Sequence, residues 1–228
     1  MKNFFVQGKV KAAIFGVCLA SCLIFAPAAS FAAASDISLP EPAVQDGMSV
    51  MRALHSRHSS RSFADAKLSP EQLSRILWAA NGINRPDLGK RTNPAAMGVY
   101  SVDVYAVTDE GIYLYLPATH TLQLVAEGDF RMTTTKGQAF VGEAPLTLVY
   151  VGNSSAWQNA RHVPTAEAMA FFDGVAAGAM SQSVGLMAEA EGIGTCVRAS
   201  IDKEAFGRAA RLNDDQTVIL AQTLGILP

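Results

Sequence analysis

Cysteine, histidine and charged side chains are scarce in this sequence. Its 228 residues include three cysteines and four histidines, and only 17% of them are charged. No histidines are paired at a metal-binding spacing, and neither a GxxxxGK[ST] phosphate loop nor a GxGxxG dinucleotide turn occurs. A GxSxG motif is also absent, so no nucleophile pattern supports an exported hydrolase. The net charge of −2 gives no general attraction for nucleic acid.

The longest uncharged run lies at the N-terminus, after a basic lead of three lysines. It extends from Ala12 to Ser35, and small residues follow its apolar part. This order predicts a signal peptide over residues 1–32, cleaved after Ala32, and export to the periplasm or out of the cell. Two alternatives stay open, an uncleaved membrane anchor and a lipoprotein attached at Cys22 within the sequence LASC.

Removal of this leader would leave one cysteine, Cys196, and 15 basic against 20 acidic residues. No intramolecular disulfide is then possible, so an exported chain would depend on its core for stability. We expect residues 33–47 to be a linker and residues 48–228 to form one domain.

The clearest helix signal is Ser69 as N-cap, with Pro70 in the first turn and Gln72 completing a capping box. Half of the residues are hydrophobic, which is ample for one core. Their pattern predicts an α+β fold with a mostly antiparallel sheet and a long buried helix. The further predicted elements are a hairpin around 109–111, a strand at 146–152, the long helix from 166 to about 191, a strand near 195–200, a helix beginning at Asp202 and a last strand at 217–227.

Residues 56–63, SRHSSRSF, place two arginines, a histidine and four serines in eight positions. We call this stretch the opening segment. Arginine offers a planar fork of donors that matches phosphate, and serine hydroxyls can fill the remaining oxygens. The pattern therefore indicates an anion site, and a solvated surface loop is the alternative.

Two later stretches could approach a flat ligand. In TNPAAMGVY, residues 92–100, Pro94 fixes the chain and small alanines follow it. In AEGIGTCVRASID, residues 190–202, glycines turn the chain from a helix into a strand that carries Arg198. Backbone N–H groups there would suit the polar edge of a ring. Each stretch could equally be an ordinary connection between elements.

Together and in this order, these stretches resemble the FMN-dependent nitroreductase family over residues 48–226. The resemblance is closest to the branch that includes peptide thiazole/oxazole-forming dehydrogenases. It implies a nitroreductase-like fold and FMN as cofactor, with no metal. It also implies that the FMN phosphate and ribityl chain are held by Arg57, His58, Ser59 and Arg61.

The same resemblance assigns further contacts to the cofactor. Gln138, in KGQAFVGEAP, would contact the ribityl or pyrimidine part. The residues implied to lie against the isoalloxazine are Pro94, Ala95, Ala96 and Met97, contributed by a partner subunit, and Val197, Arg198, Ala199 and Ser200 from the same subunit.

The resemblance implies a homodimeric oxidoreductase that exchanges electrons with a small organic substrate in a ping-pong cycle, and the leader adds export. The resemblance assigns no catalytic side chain. As an alternative to a contact with the isoalloxazine, Arg198 could form a surface salt bridge.

Relatives often carry serine and asparagine where this chain has Ala95 and Met97, and several place an acidic residue at Ala199. Many also have a C-terminal basic tail. These departures leave a non-catalytic flavin-binding protein as the alternative. Export would also call for a periplasmic or membrane electron donor in place of NAD(P)H.

Overall fold

The computed structural model describes residues 34–43 and 47–228, and the predicted signal peptide lies outside these ranges. None of the helices in the described ranges is both long and apolar enough to cross a membrane. The helices are α1 (Val50–Ser56), α2 (Pro70–Asn81), α3 (Phe140–Glu143), α4 (Ala166–Ala190) and α5 (Lys203–Ala209). The strands are β1 (Ile37–Ser38), β2 (Ile83–Arg85), β3 (Lys90–Arg91), β4 (Val102–Val107), β5 (Gly111–Leu116), β6 (Thr121–Glu127), β7 (Leu146–Asn153), β8 (Ile193–Arg198) and β9 (Gln216–Ile226).

Seven of these strands form the central sheet, in the order β1-β6-β5-β4-β7-β9-β8. Every neighbouring pair in it is antiparallel. The other two strands, β2 and β3, form a small separate ribbon. The predicted α+β fold with a mostly antiparallel sheet is therefore confirmed. In this order β8 is an edge strand, which leaves its outer side free to pair with another segment.

Helices cover both faces of the sheet. One face packs against α2 and α4 through a core that includes Leu77 and Val184. The other face packs against α5, where Phe206 is fully buried. Alternating side chains along β7 serve both cores, since successive residues of a strand point to opposite faces.

The start of α2 shows the predicted capping box. The hydroxyl of Ser69 accepts a hydrogen bond from the N–H of Gln72 at 3.2 Å, and the Gln72 side-chain oxygen accepts from the N–H of Ser69 at 3.0 Å. These two bonds satisfy donors that a helix start otherwise leaves unpaired. Pro70 follows in the first turn, where its missing N–H has no consequence.

The predicted long helix is α4, capped by the side chain of Thr165. Its inner face, which includes Ala177 and Met180, is buried against the sheet. Its outer face exposes two large apolar side chains, Phe171 at 67% and Val175 at 57%. The helix is thus buried along the face that meets the sheet, and its outer face carries exposed apolar side chains.

The sequence did not predict β1 or β6. In β1, Ile37 pairs with Leu122 of β6, and the neighbouring Leu39 is buried. Part of the stretch expected to be a linker is therefore joined to the edge of the sheet. Its pairing partner lies some eighty residues further along the chain, so no local pattern reveals it.

Candidate functional site

The opening segment runs along the free edge of β8. It follows α1 directly, and the N–H of Arg57 closes that helix by donating to the carbonyl of Ala53 at 2.9 Å. The N–H of Ser60 then donates to the carbonyl of Thr195 at 2.9 Å, and Ser59 forms a parallel bridge with the same residue. The sheet edge therefore fixes where the cationic and hydroxyl side chains of this segment lie.

Two glycines make room for the segment on the sheet. A Cβ atom built on Gly194 would lie 2.9 Å from the Cβ of Ser60, and one built on Gly225 would lie 2.8 Å from the ring of Phe63. Real Cβ atoms do not approach so closely. The segment can thus lie flat against β8 and β9 because neither strand has a side chain at these positions. The contact between Phe63, the last residue of the opening segment, and Gly225 joins residues far apart in the chain, so the sequence alone does not predict it.

The arginines of the segment are available to an anion. Arg57 is half-buried and packs beside Gly185 of α4, while Arg61 is exposed. Neither forms an ion pair with a carboxylate of the described residues. Ser59 between them is exposed too. Two unpaired guanidinium groups and a hydroxyl on one short stretch match the chemistry of a phosphate.

His58 is held by its own neighbours. Its Nδ1 lies 3.1 Å from the carbonyl oxygen of Ser56, and its Nε2 lies 3.4 Å from the hydroxyl of Ser60. A carbonyl can only accept, so Nδ1 carries the proton and Nε2 of the neutral ring is an acceptor. In this state His58 stabilises the bend of the segment, and only a doubly protonated ring would donate from Nε2.

The end of β8 places neighbouring side chains on opposite faces. Val197 is 44% exposed, whereas Arg198 is 5% exposed and points to the other side of the sheet. Arg198 Nε donates to the hydroxyl of Thr223 and Nη1 donates to the carbonyl of Thr134, both at 2.9 Å. The surface salt bridge considered for Arg198 is wrong, because its side chain is buried without a carboxylate partner among the described residues. Burial lowers the pKa of Arg198 from its usual value.

Gln138 lies next to this arginine, on the turn that leads into α3. Its side-chain oxygen is 3.5 Å from Nη1 of Arg198, and its N–H donates to the hydroxyl of Thr135 at 3.1 Å. The same turn meets the end of β8 through the N–H of Lys136, which is 3.4 Å from the carbonyl oxygen of Ser200. The structure therefore brings together the opening segment, Gln138 and residues 197–200.

The loop with Pro94 and Ala95 is anchored elsewhere in the subunit. The side chain of Asn93 donates to the carbonyl groups of Ala79 and Ala80 at 2.7 and 2.8 Å, which fastens the loop to the end of α2. Its oxygen accepts from the hydroxyl of Ser183 on α4 at 2.5 Å. Sequence reasoning missed Asn93, although an asparagine directly before a proline is a recognisable turn signal.

The exposed end of this loop has an unusual backbone. Pro94 and Met97 are exposed, Ala95 and Ala96 are half-buried, and Met97 has a φ of 54°. Few residues other than glycine adopt this left-handed conformation. Within one subunit, the loop's side-chain anchors are to α2 and α4, not to the opening segment.

Metal chemistry has no evident site in this part of the chain. Across residues 34–43 and 47–228, no group of three His, Cys, Asp or Glu side chains is placed to hold an ion. Cys196 is free and buried in β8. The chemistry available at the site is therefore cationic and hydrogen-bonding.

Comparison with known proteins agrees with this geometry. Residues 54–226 match the nitroreductase family. A nitroreductase-like protein from Ralstonia eutropha JMP134 has a crystal structure with 38% identity and a TM-score of 0.79, covering 86% of this chain and 90% of that one. The E. coli microcin synthetase McbBCD complex matches at 18% identity and a TM-score of 0.64, covering 83% and 76%. The NADPH:FMN oxidoreductase of Vibrio harveyi, complexed with NAD+, matches at 18% and 0.58, covering 78% and 68%.

The last two likenesses, both under 25% identical, show the fold alone. The family match spans both the opening segment and the end of β8. The resemblance inferred from those residues is thereby confirmed, and the chain belongs to the nitroreductase family of oxidoreductases.

Proposed function

We propose that this protein is an FMN-dependent oxidoreductase that acts on a small organic substrate. The observation that carries the proposal is the pairing of the opening segment with β8 at Thr195, just before the end of that strand. Arg57 and Arg61, unpaired among the described residues, lie on a segment that is hydrogen-bonded to Thr195. Two residues further along β8, at Val197, the chain reaches the stretch expected to face a flavin ring.

The residues present fit each chemical part of FMN. Arg57, Ser59 and Arg61 can bind the phosphate, as charge-assisted bonds from arginine to phosphate are among the strongest available. For the polar edge of the ring, the backbone N–H groups of Ala199 and Ser200 are suitable donors. Both residues are exposed, and these groups donate to no carbonyl within the described ranges.

When bound, FMN would supply the hydride chemistry, and the chain would supply binding and orientation. We propose a ping-pong cycle, in which an electron donor leaves before an oxidant uses the same position. The NADPH:FMN oxidoreductase of Vibrio harveyi has this fold, which supports FMN as the flavin. The departure at Ala199 from the acidic residue of several relatives supports the other candidate, a flavin-binding protein without turnover.

Export is the second part of the proposal. The basic and apolar leader over residues 1–32 favours a Sec-type signal peptide and a periplasmic or secreted protein. Nicotinamide cofactors are expected in the cytoplasm. We therefore propose that a periplasmic or membrane redox partner serves as the electron donor.

A homodimer is the third part. Exposed apolar side chains occur on α1 (Val50, Met51 and Leu54) and on the outer face of α4 (Phe171 and Val175), two helices that contact each other. Such a surface on a soluble protein favours an interface. An isologous dimer would bring the loop around Pro94 of one subunit towards the flavin site of the other, which matches the implied role of that loop.

Anaerobic titration of the purified protein tests the proposed function. Oxidised flavin bound to a protein absorbs light at about 450 nm. We expect a yellow protein that is bleached faster by a quinol or another non-nicotinamide donor than by NADPH, and that regains its colour with an organic oxidant. A colourless protein that takes up no FMN would refute the proposal. A yellow protein that is bleached only by dithionite would support the non-catalytic candidate.

A further inference from the structure

The side chain of Arg198 is a buried cation for which the described residues supply no carboxylate. It is 5% exposed. Its Nη2 atom is buried and lacks a hydrogen-bond partner in the described part of the chain. An isolated buried charge is unfavourable, and an apolar side chain of similar size usually serves a core better. Packing alone therefore does not account for an arginine at this position.

The contacts of Arg198 converge on the turn before α3. Nη1 donates to the carbonyl of Thr134 at 2.9 Å and lies 3.4 Å from the carbonyl oxygen of Ser200. Nε donates a hydrogen bond to the hydroxyl of Thr223 on β9. The phenyl ring of Phe140 lies 6.0 Å from the guanidinium carbon. The guanidinium thus joins the end of β8, the strand beside it and the turn that carries Gln138.

The chemistry of this contact fixes the orientation of the Gln138 amide. A guanidinium has donors only, so the atom of Gln138 that faces it, 3.5 Å away, must be the carbonyl oxygen. The amide nitrogen then points away from Arg198. It donates to no acceptor within the described residues, and Gln138 is only half-buried. Its two N–H groups are therefore free to meet a ligand.

We propose that Arg198 is a positioning residue, which holds Gln138 with its amide N–H groups directed at the bound cofactor. This inference rests on the proposed FMN site. Arg198 does not itself touch the cofactor in this role. It acts through the side chain of Gln138, whose oxygen faces the guanidinium.

Two substitutions separate this role from a structural one. Gln138→Glu supplies the missing counter-ion for Arg198 and removes the amide donor. We expect a higher melting temperature of the FMN-free protein together with an FMN dissociation constant raised about tenfold or more, since one hydrogen bond to the ligand is lost. A change that merely loosened the structure would lower both stability and affinity.

A double-mutant cycle between Arg198→Lys and Gln138→Ala then tests the coupling. Lysine keeps the charge but loses the fork, so we expect weaker FMN binding by about fivefold to tenfold. The double variant should bind FMN no worse than Gln138→Ala alone, because Arg198 acts through that side chain. The side-chain amide signals of Gln138 in ¹⁵N NMR spectra of the FMN-free protein should also shift in Arg198→Lys.

The outcomes distinguish this inference from the proposed function. Wild-type protein that fails to bind FMN overturns both. Wild-type protein that binds FMN, with Arg198→Lys and Gln138→Ala acting additively or with unchanged Gln138 amide signals, overturns the positioning role alone. A Gln138→Glu variant that is more stable but binds FMN with unchanged affinity also overturns the positioning role alone.

Discussion

Gly225 of β9 sets how closely the opening segment approaches the sheet, and Gly225→Ala tests this directly. A Cβ atom there would lie 2.8 Å from Cγ and Cδ1 of Phe63 and 2.9 Å from its Cβ. Carbon atoms settle at about 3.5 Å or more, so Phe63 would have to move by roughly 0.7 Å. Rotation of the Phe63 ring does not move the Cβ atom of Phe63, so it cannot relieve the clash between that atom and the new Cβ atom at position 225. The whole segment, and Arg61 with it, must therefore be displaced.

Overpacking of this kind costs about 1–3 kcal/mol of stability. Displacement of one arginine from a phosphate removes a charged hydrogen bond, which weakens binding by about tenfold or more. We would measure stability of the FMN-free protein by urea denaturation and FMN affinity by quenching of flavin fluorescence. Gly207→Ala is the matched control: its Cβ would meet nothing within 4 Å in α5, and it should add about 0.5–1 kcal/mol of stability. Wild-type stability and affinity in Gly225→Ala would refute the reasoning.

Three further predictions concern other parts of the molecule. Arg57→Ala should raise the FMN dissociation constant about tenfold to a hundredfold with little change in apoprotein melting temperature, while Arg85→Ala, at an exposed residue of β2, should leave binding unchanged; equal effects would contradict the phosphate role. Phe171→Glu should give monomers in light scattering, while Leu88→Glu, exposed to a similar extent (68% against 67%), should not; a persistent dimer would exclude α4 from the interface. Burial raises the pKa of Asp173 above its ordinary value of 3.8, so folding stability should fall as the pH rises from 3.8 through the higher folded-state pKa. Asp173→Asn removes this effect. Denaturant unfolding across that pH range should therefore show that the stability of the variant relative to the wild type increases with pH. A difference in stability that is the same at every pH would contradict the prediction.

The elements that the sequence predicted are those with local causes. Ser69 and Gln72 cap α2 within one turn, and α4 is visible from its length and composition. By contrast, β6 has a single buried residue, Leu122, and gives no clear alternation. Its place in the sheet depends on pairing with β5 and β1, which local patterning does not encode.

The same distinction applies to the candidate site. The opening segment was recognisable because its arginines and serines are adjacent in sequence. The burial of Arg198 was not, since its partners Thr223 and Thr134 are 25 and 64 residues away. An arginine at the end of a strand can reach solvent or the core with equal ease. Only the fold decides between the two.

The most direct test of the central claim is to compare FMN with riboflavin, which lacks the phosphate, in equilibrium binding to the purified protein. Binding of one FMN per chain, with riboflavin at least about tenfold weaker, is the result predicted by a phosphate site on the opening segment. Equal affinity for the two flavins, or no binding of either, would contradict it.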